Sequence, residues 1–303
     1  MTKKVPVLFG TDPEASAVYE KDGNLYSLPP YYFRKVLGVP ATKQDTRHPV
    51  FFEEPEMKAI EDGANFEFTI LPSHNPKDLF DRVQECSRLV SERILSQFPE
   101  HCLPNLHFLP TVNWDIERWA DMPLDFVVAT EFGCDPDEDV FDLDAAAKVM
   151  DASLHPERYD GGHIHVSGSA WIAEDPHLAV KCMLYTAGMA SIKYSDVPDL
   201  ERRRLFLYGR PGKFRVQEYG KRNMFGPDYA VGIEYRTPSA RWAGDWNIAE
   251  KVLGWAEIGI KGLLETGLGA ELAPEITQPA IDAIMNADQD AAGTILAYIE
   301  SRL

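Results

Sequence analysis

Gly161-Gly162-His163-Ile164-His165-Val166-Ser167-Gly168 is a glycine-led apolar strand that carries two histidines two residues apart. Side chains alternate across a strand, so His163 and His165 share one face and Ile164 and Val166 the other. The glycines allow backbone to approach a ligand closely. Imidazole is a common ligand for divalent metals. A lone histidine is ordinarily a satisfied core residue, but a histidine pair bracketed by glycines points to metal or ligand binding.

Three further segments repeat this design of polar residues two apart on short strands. In Gly10-Thr11-Asp12-Pro13-Glu14, two carboxylates follow an apolar run. Alone they read equally as a solvated turn. In Asn65-Phe66-Glu67-Phe68-Thr69-Ile70, Glu67 stands between phenylalanines. It faces either solvent or a metal, because a buried lone carboxylate is costly. In Gly232-Ile233-Glu234-Tyr235-Arg236-Thr237-Pro238-Ser239, Glu234 and Arg236 share a face. They either form a same-strand ion pair or divide labour, the carboxylate holding a metal and the guanidinium a phosphate oxygen. Upstream lie Arg202, Arg203 and Arg204, then Tyr208-Gly209-Arg210-Pro211-Gly212-Lys213-Phe214-Arg215. This basic stretch reads as a solvated loop or as an anion-binding loop over a polyphosphate.

Outward from these segments the chain alternates strands and helices. Val5–Phe9 reads as a buried strand ending at Gly10, and Tyr19–Leu28, with Asp22-Gly23, as a hairpin. Residues 29–56 read as an irregular loop. Asn75-Pro76 opens a helix to about Gln97, with Leu79, Val83, Cys86, Leu89, Val90 and Ile94 at helical spacing. Strands are expected near Leu106–Val112 and Phe126–Ala129, an acidic loop over Asp135–Asp144 and a short helix over Ala145–Met150. Pro176–Met189 reads as an apolar helix and residues 193–229 as the longest irregular region. Val231–Arg236 is a strand, and Trp246–Leu264 and Gln278–Leu303 are closing helices. The expected fold is a single α+β domain over residues 1–303, a curved, mainly antiparallel sheet with helices on one face.

The chain has 303 residues, with 30 Lys and Arg against 48 Asp and Glu, a net charge of −18. A field of that sign repels phosphate backbones, so nucleic-acid partners are not expected. Cys86, Cys102, Cys134 and Cys182 show no C-x-x-C pairing, which favours free thiols in a reducing cytosol. No leader-like apolar stretch follows the basic start, and no window approaches about 18 apolar residues, so neither a signal peptide nor a membrane span is expected. Walker-type, G-x-G-x-x-G and G-x-S-x-G motifs are absent.

Taken in order, the acidic strand at Asp12, the Glu67 strand, the histidine strand, the arginine loop and the Glu234-x-Arg236 strand resemble the glutamine synthetase-like carboxylate–amine ligases. Within that superfamily the pattern is most similar to the phage-encoded carboxylate–amine ligase group, type two. The resemblance spans about Leu8 to Ser239. It implies a sheet funnel of the glutamine synthetase catalytic kind, with ATP at one end, substrates at the other and two or three Mg2+ ions between, Mn2+ being an alternative. It implies that Asp12, Glu14, Glu67, His165 and Glu234 hold metal. It further implies that His163, Arg210, Arg215 and Arg236 hold nucleotide, and that Arg236, Arg215 and Glu234 act in catalysis. Glutamine synthetases open with Glu-x-Glu, whereas this chain has Asp12-Pro13-Glu14, and Pro13 cannot donate to a ladder.

The implied reaction forms an amide from a small-molecule or peptide carboxylate and an amine, through an acyl phosphate. Carboxylate ligands suit magnesium, and phosphoryl transfer needs positioning and charge neutralisation above all. The acidic stretch Asp135–Asp139 is the candidate for the base that takes the amine's proton. The resemblance also implies a cytoplasmic protein, in the host cytoplasm if phage-encoded, with homo-oligomers left open. Two other enzyme classes compete. A metal-dependent hydrolase could use His163 and His165, although His48, His74, His101, His107, His155 and His177 show no ligand spacing. A phosphotransferase on the same fold would stop at the phosphorylated acid.

Overall fold

Strands β1 (Leu8–Thr11), β2 (Glu14–Ala15) and β3 (Val18–Lys21) follow one another along a single stretch of chain, yet each lies in a different sheet. The computed structural model describes residues 5–41, 48–123, 125–126, 138–141 and 154–303. The remaining strands are β4 (Asn24–Ser27), β5 (Val50–Glu54), β6 (Met57–Asp62), β7 (Asn65–Ile70), β8 (Thr111–Asn113), β9 (Glu138–Asp139), β10 (Glu157–Tyr159), β11 (Ile164–Ser167), β12 (Lys213–Glu218) and β13 (Val231–Tyr235). They form a five-stranded sheet in the order β1-β11-β13-β12-β9, and two four-stranded sheets, β2-β7-β6-β5 and β10-β8-β4-β3. Pairing is antiparallel apart from β4 with β8. With the helices, this is a mixed α+β architecture.

Asp12-Pro13 is where the chain leaves the first sheet for the second. Proline has no N–H to continue a ladder, while its carbonyl accepts from Phe68 N at 3.1 Å in β7. Asp12 therefore stays beside β11 as Glu14 pairs with Glu67 on the neighbouring sheet.

Period-two alternation gives the five-stranded sheet two unlike faces. Phe9, Ile164, Val166, Ile233, Tyr235 and Phe214 are all buried on one of them. Helices Ala170–Glu174 and Pro176–Met183 pack on β13 there. The other face carries Gly10, His165, Glu234 and Arg215 as one cross-strand row, and Leu8, Ser167, Gly232 and Gln217 as the next. Helix Pro76–Arg93, capped by Asn75 accepting from Lys77 N at 3.0 Å, packs against β6, β7 and helix Trp246–Ile258. Buried side chains run as one apolar cluster from Val7 to Ile299.

Several sequence expectations are corrected. Residues 29–56 contain a helical turn at Tyr32–Val36 and the strand Val50–Glu54, whose buried Val50, Phe51 and Phe52 were hidden by the surrounding charge. Residues 193–229 contain helix Pro198–Leu207 and strand Lys213–Glu218. The run Arg202–Arg204 is thus helical. The strand expected at Leu106–Val112 is confined to Thr111–Asn113. The closing helix is two helices, Leu268–Met285 and Gln289–Glu300. The first runs through Pro274 and Pro279, residues that on sequence alone argue against a helix interior. The break falls at Ala287, in a left-handed conformation with φ 49°, and Asp288 caps the next helix. The expected strand residues 127–129, the helix at 145–150 and most of the acidic loop lie outside the described residues, as does Cys134. No helix among the described residues is long and apolar enough to cross a membrane.

Candidate functional site

Two carboxylate-containing clusters lie at the seam where β1 passes into β2. Asp12, His165 and Glu234 form the first, and Glu14, Asp62 and Glu67 the second. In each, one possible ligand atom per residue lies within 4.8 Å of the others. The sequence places Asp12 and Glu14 side by side; the sheet switch at Pro13 assigns them to different clusters.

The first cluster is surrounded by histidine and arginine side chains. His165 Nε2 is 3.2 Å from Asp12 Oδ1, and His163 Nδ1 is 3.2 Å from the same oxygen and 3.4 Å from Glu234 Oε1. Arg236 Nη1 contacts Glu234 Oε1, and Arg215 Nη1 is 3.8 Å from it. Gln217 donates to Glu234 Oε2 at 2.5 Å. Tyr208 Oη joins the ring, 3.1 Å from His163 Nε2 and 3.3 Å from Arg236 Nη2. Desolvation raises the Asp12 pKa, but the charges of His165 and His163 outweigh it and hold the carboxyl well below the usual range. Glu234 is likewise held low, His165, His163 and Arg236 overcoming desolvation and the Asp12 charge.

The second cluster is the electrostatic opposite. Glu14 and Glu67 face each other in register across β2 and β7, and Asp62 ends the adjoining strand. Desolvation, with the charges of Asp12, Asp62 and Glu14, drives the Glu67 pKa well above its ordinary value. Desolvation also raises Glu14, against the pull of His163. Like charges directly opposite on paired strands repel. Such a group is neutralised by protons or by a cation. The donors are oxygens of the kind hard divalent ions take, so the residues present fit magnesium or manganese.

A cavity of about 450 Å3 opens beside the first cluster. Asp12, Glu67 and His165 line it together with the apolar Leu8, Ile70, Pro72, Phe225 and Tyr229. Gly10 also lines it, and a Cβ there would lie 3.2 Å from His165 Cβ.

Of the residues singled out from sequence, Asp12, Glu14, Glu67, His163, His165, Arg215, Glu234 and Arg236 come together here. Arg210 instead donates to the carbonyl of Phe206. Arg204 is buried and donates to the carbonyls of Thr237 and Pro238, bracing the exit of β13, while Arg202 and Arg203 pair with Asp199 and Glu157. The basic stretch is therefore divided: only Arg215 of it reaches Glu234. Residues 135–137 of the stretch considered for the base lie outside the described residues, and Asp139 lies 3.5 Å from Lys213. Asp62, Asn65, Tyr208 and Gln217 were not singled out from sequence. Asp62 precedes Gly63 in a turn between strands and there reads as a solvated turn residue. Tyr208 had one signal, its place in the arginine- and glycine-rich stretch.

No protein-family model matches the chain, and no curated protein matches it.

Proposed function

We propose that the protein is an ATP- and Mg2+-dependent carboxylate–amine ligase that forms an amide through an acyl phosphate. The observation that carries this reading is the pair of adjoining clusters, one all-carboxylate and one ringed by histidine and arginine, with Asp12, Glu67 and His165 lining a largely apolar cavity. Two cations between acidic sets are a usual device for neutralising a phosphoryl group in transfer. The three sheets are read as the walls of a funnel.

The cavity suits the nucleotide: its apolar walls accept the base, and the triphosphate points towards Asp12, His165 and Glu234. The carboxylates of the two clusters would hold magnesium, which when bound would supply neutralisation of phosphate charge. Arg236 and Arg215 neutralise charge on the transferring group. A carboxylate oxygen of the acid attacks the γ-phosphorus, and the bond to the ADP oxygen breaks. The amine nitrogen then attacks the acyl carbon, loses a proton, and inorganic phosphate leaves. His163 is read as a fixing residue rather than a ligand, since Asp12 and Tyr208 engage both its nitrogens.

The test is an ADP-release screen with Mg2+ and paired acids and amines, with mass detection of the condensed product. The reading expects ADP formation that requires both partners and yields product lighter by one water. ADP with a phosphorylated acid and no amide would make the protein a phosphotransferase. Stoichiometric zinc with hydrolysis would make it a hydrolase.

A further inference from the structure

Asn65 opens β7 and is buried, in register with Asp62 across the β6–β7 turn. It thus belongs to the hairpin that supplies two of the three carboxylates of the acidic cluster. Its Nδ2 donates to Glu14 Oε2 at 3.0 Å and to the Tyr159 carbonyl at 2.9 Å. Ser16 Oγ lies 3.4 Å from its Oδ1 and 2.8 Å from Asp160 Oδ1. The orientation of this amide is dictated by its surroundings. Flipped, Oδ1 would face a carboxylate and a carbonyl, acceptor against acceptor, in a buried site. Gly161 N adds a second donor to the same Glu14 oxygen at 2.8 Å. Oε2 is thereby held by two donors.

We propose that Asn65 is a positioning residue for the acidic cation centre: its amide locks the Glu14 carboxylate from the hairpin that carries Asp62 and Glu67, so that one defined oxygen faces the ion. The proposal rests on the cation-binding part of the functional reading and not on the reaction. Orienting partners of this kind are worth about 10–100-fold in metal affinity.

The experiment is Mn2+ titration followed by the EPR signal of free Mn2+, in a Glu234→Gln background that disables the other cluster. Asn65→Ala is expected to weaken Mn2+ binding by about 10–100-fold, with the circular dichroism spectrum in chelator unchanged. Asn65→Ser serves as the second variant, and the weakening is expected in whichever variant folds. A residue acting through Glu14 must also be non-additive with it. The Glu14→Gln/Asn65→Ala pair should therefore bind no more weakly than Glu14→Gln alone. Affinity within twofold of the Asn65 parent in a folded variant, or full additivity with Glu14→Gln, overturns the positioning role and leaves the ligase reading standing. A wild-type chain that binds Mn2+ but turns over no acid–amine pair overturns the ligase reading and leaves this one standing. A wild-type chain that binds no Mn2+ overturns both.

Discussion

Glu14 and Glu67 are direct cross-strand partners between β2 and β7, with Asp62 beside them. In the absence of a cation, folding must keep protons on such a group. Both glutamates have folded pKa values above the ordinary value of 4.5, chiefly through desolvation. A raised pKa means that the folded state binds the proton more tightly than the unfolded one. That contribution is complete below pH 4.5 and is lost as pH rises through the folded values.

Stability of chelator-treated protein should therefore fall as pH is raised above about 4.5, with a slope of about 1.4 kcal/mol per pH unit for each proton retained. Magnesium should reverse the fall, because the ion replaces the protons. The rise in Tm on adding Mg2+ should grow from pH 5 to pH 8. Thermal melts with and without chelator read both effects, and a Mg2+ shift independent of pH would contradict the cation assignment.

Glu234→Gln keeps shape but removes the charge at the junction of Arg236, Arg215 and His163. Metal-dependent ADP formation should drop by at least about 10²-fold, given the several kcal/mol a bridging cation supplies to transition-state charge. Steady-state assays with the right acid and amine measure it, and unchanged turnover would remove Glu234 from the site.

Arg236→Lys retains a positive charge but loses the planar fork that contacts Glu234 and Tyr208 together. The expected signature is a fall in kcat of about 10²-fold, the scale for losing one preorganised donor, with nucleotide KM little changed. A rise in nucleotide KM with kcat unchanged would instead place Arg236 in ground-state binding.

Gly162→Ala tests the frame that holds His163. A Cβ there would sit 2.2 Å from the Ser239 carbonyl oxygen, in backbone pinned by the Gly161–Ser239 bridge and by Gly162 N donating to the Pro238 carbonyl at 3.0 Å. Denaturant unfolding should show a loss of about 3 kcal/mol or more, the upper range for overpacking. A near-neutral change would mean that the Gly162–Ser239 approach is not rigid.

Much of the site was legible because it depends on the strand repeat alone. Period two places His163 with His165 and Glu234 with Arg236, whatever sheet those strands join. The Asp22-Gly23 hairpin and the Asn75 cap were equally local. The α+β class followed from the mixture of such elements.

Long-range register decided the rest. Asp12 and Glu14 are two residues apart, yet they serve different clusters because Pro13 ends one ladder and Phe68 begins another. Asp62 and Asn65 acquire meaning only when the β6–β7 hairpin is laid against β2. Arg204 is charged and adjoins other arginines, but burial against Thr237 and Pro238 makes it a brace. Alternation is a property of the chain within a few residues, so the sequence determined which side chains share a face. Which faces meet depends on strands that are distant in sequence, and only the tertiary structure decided that.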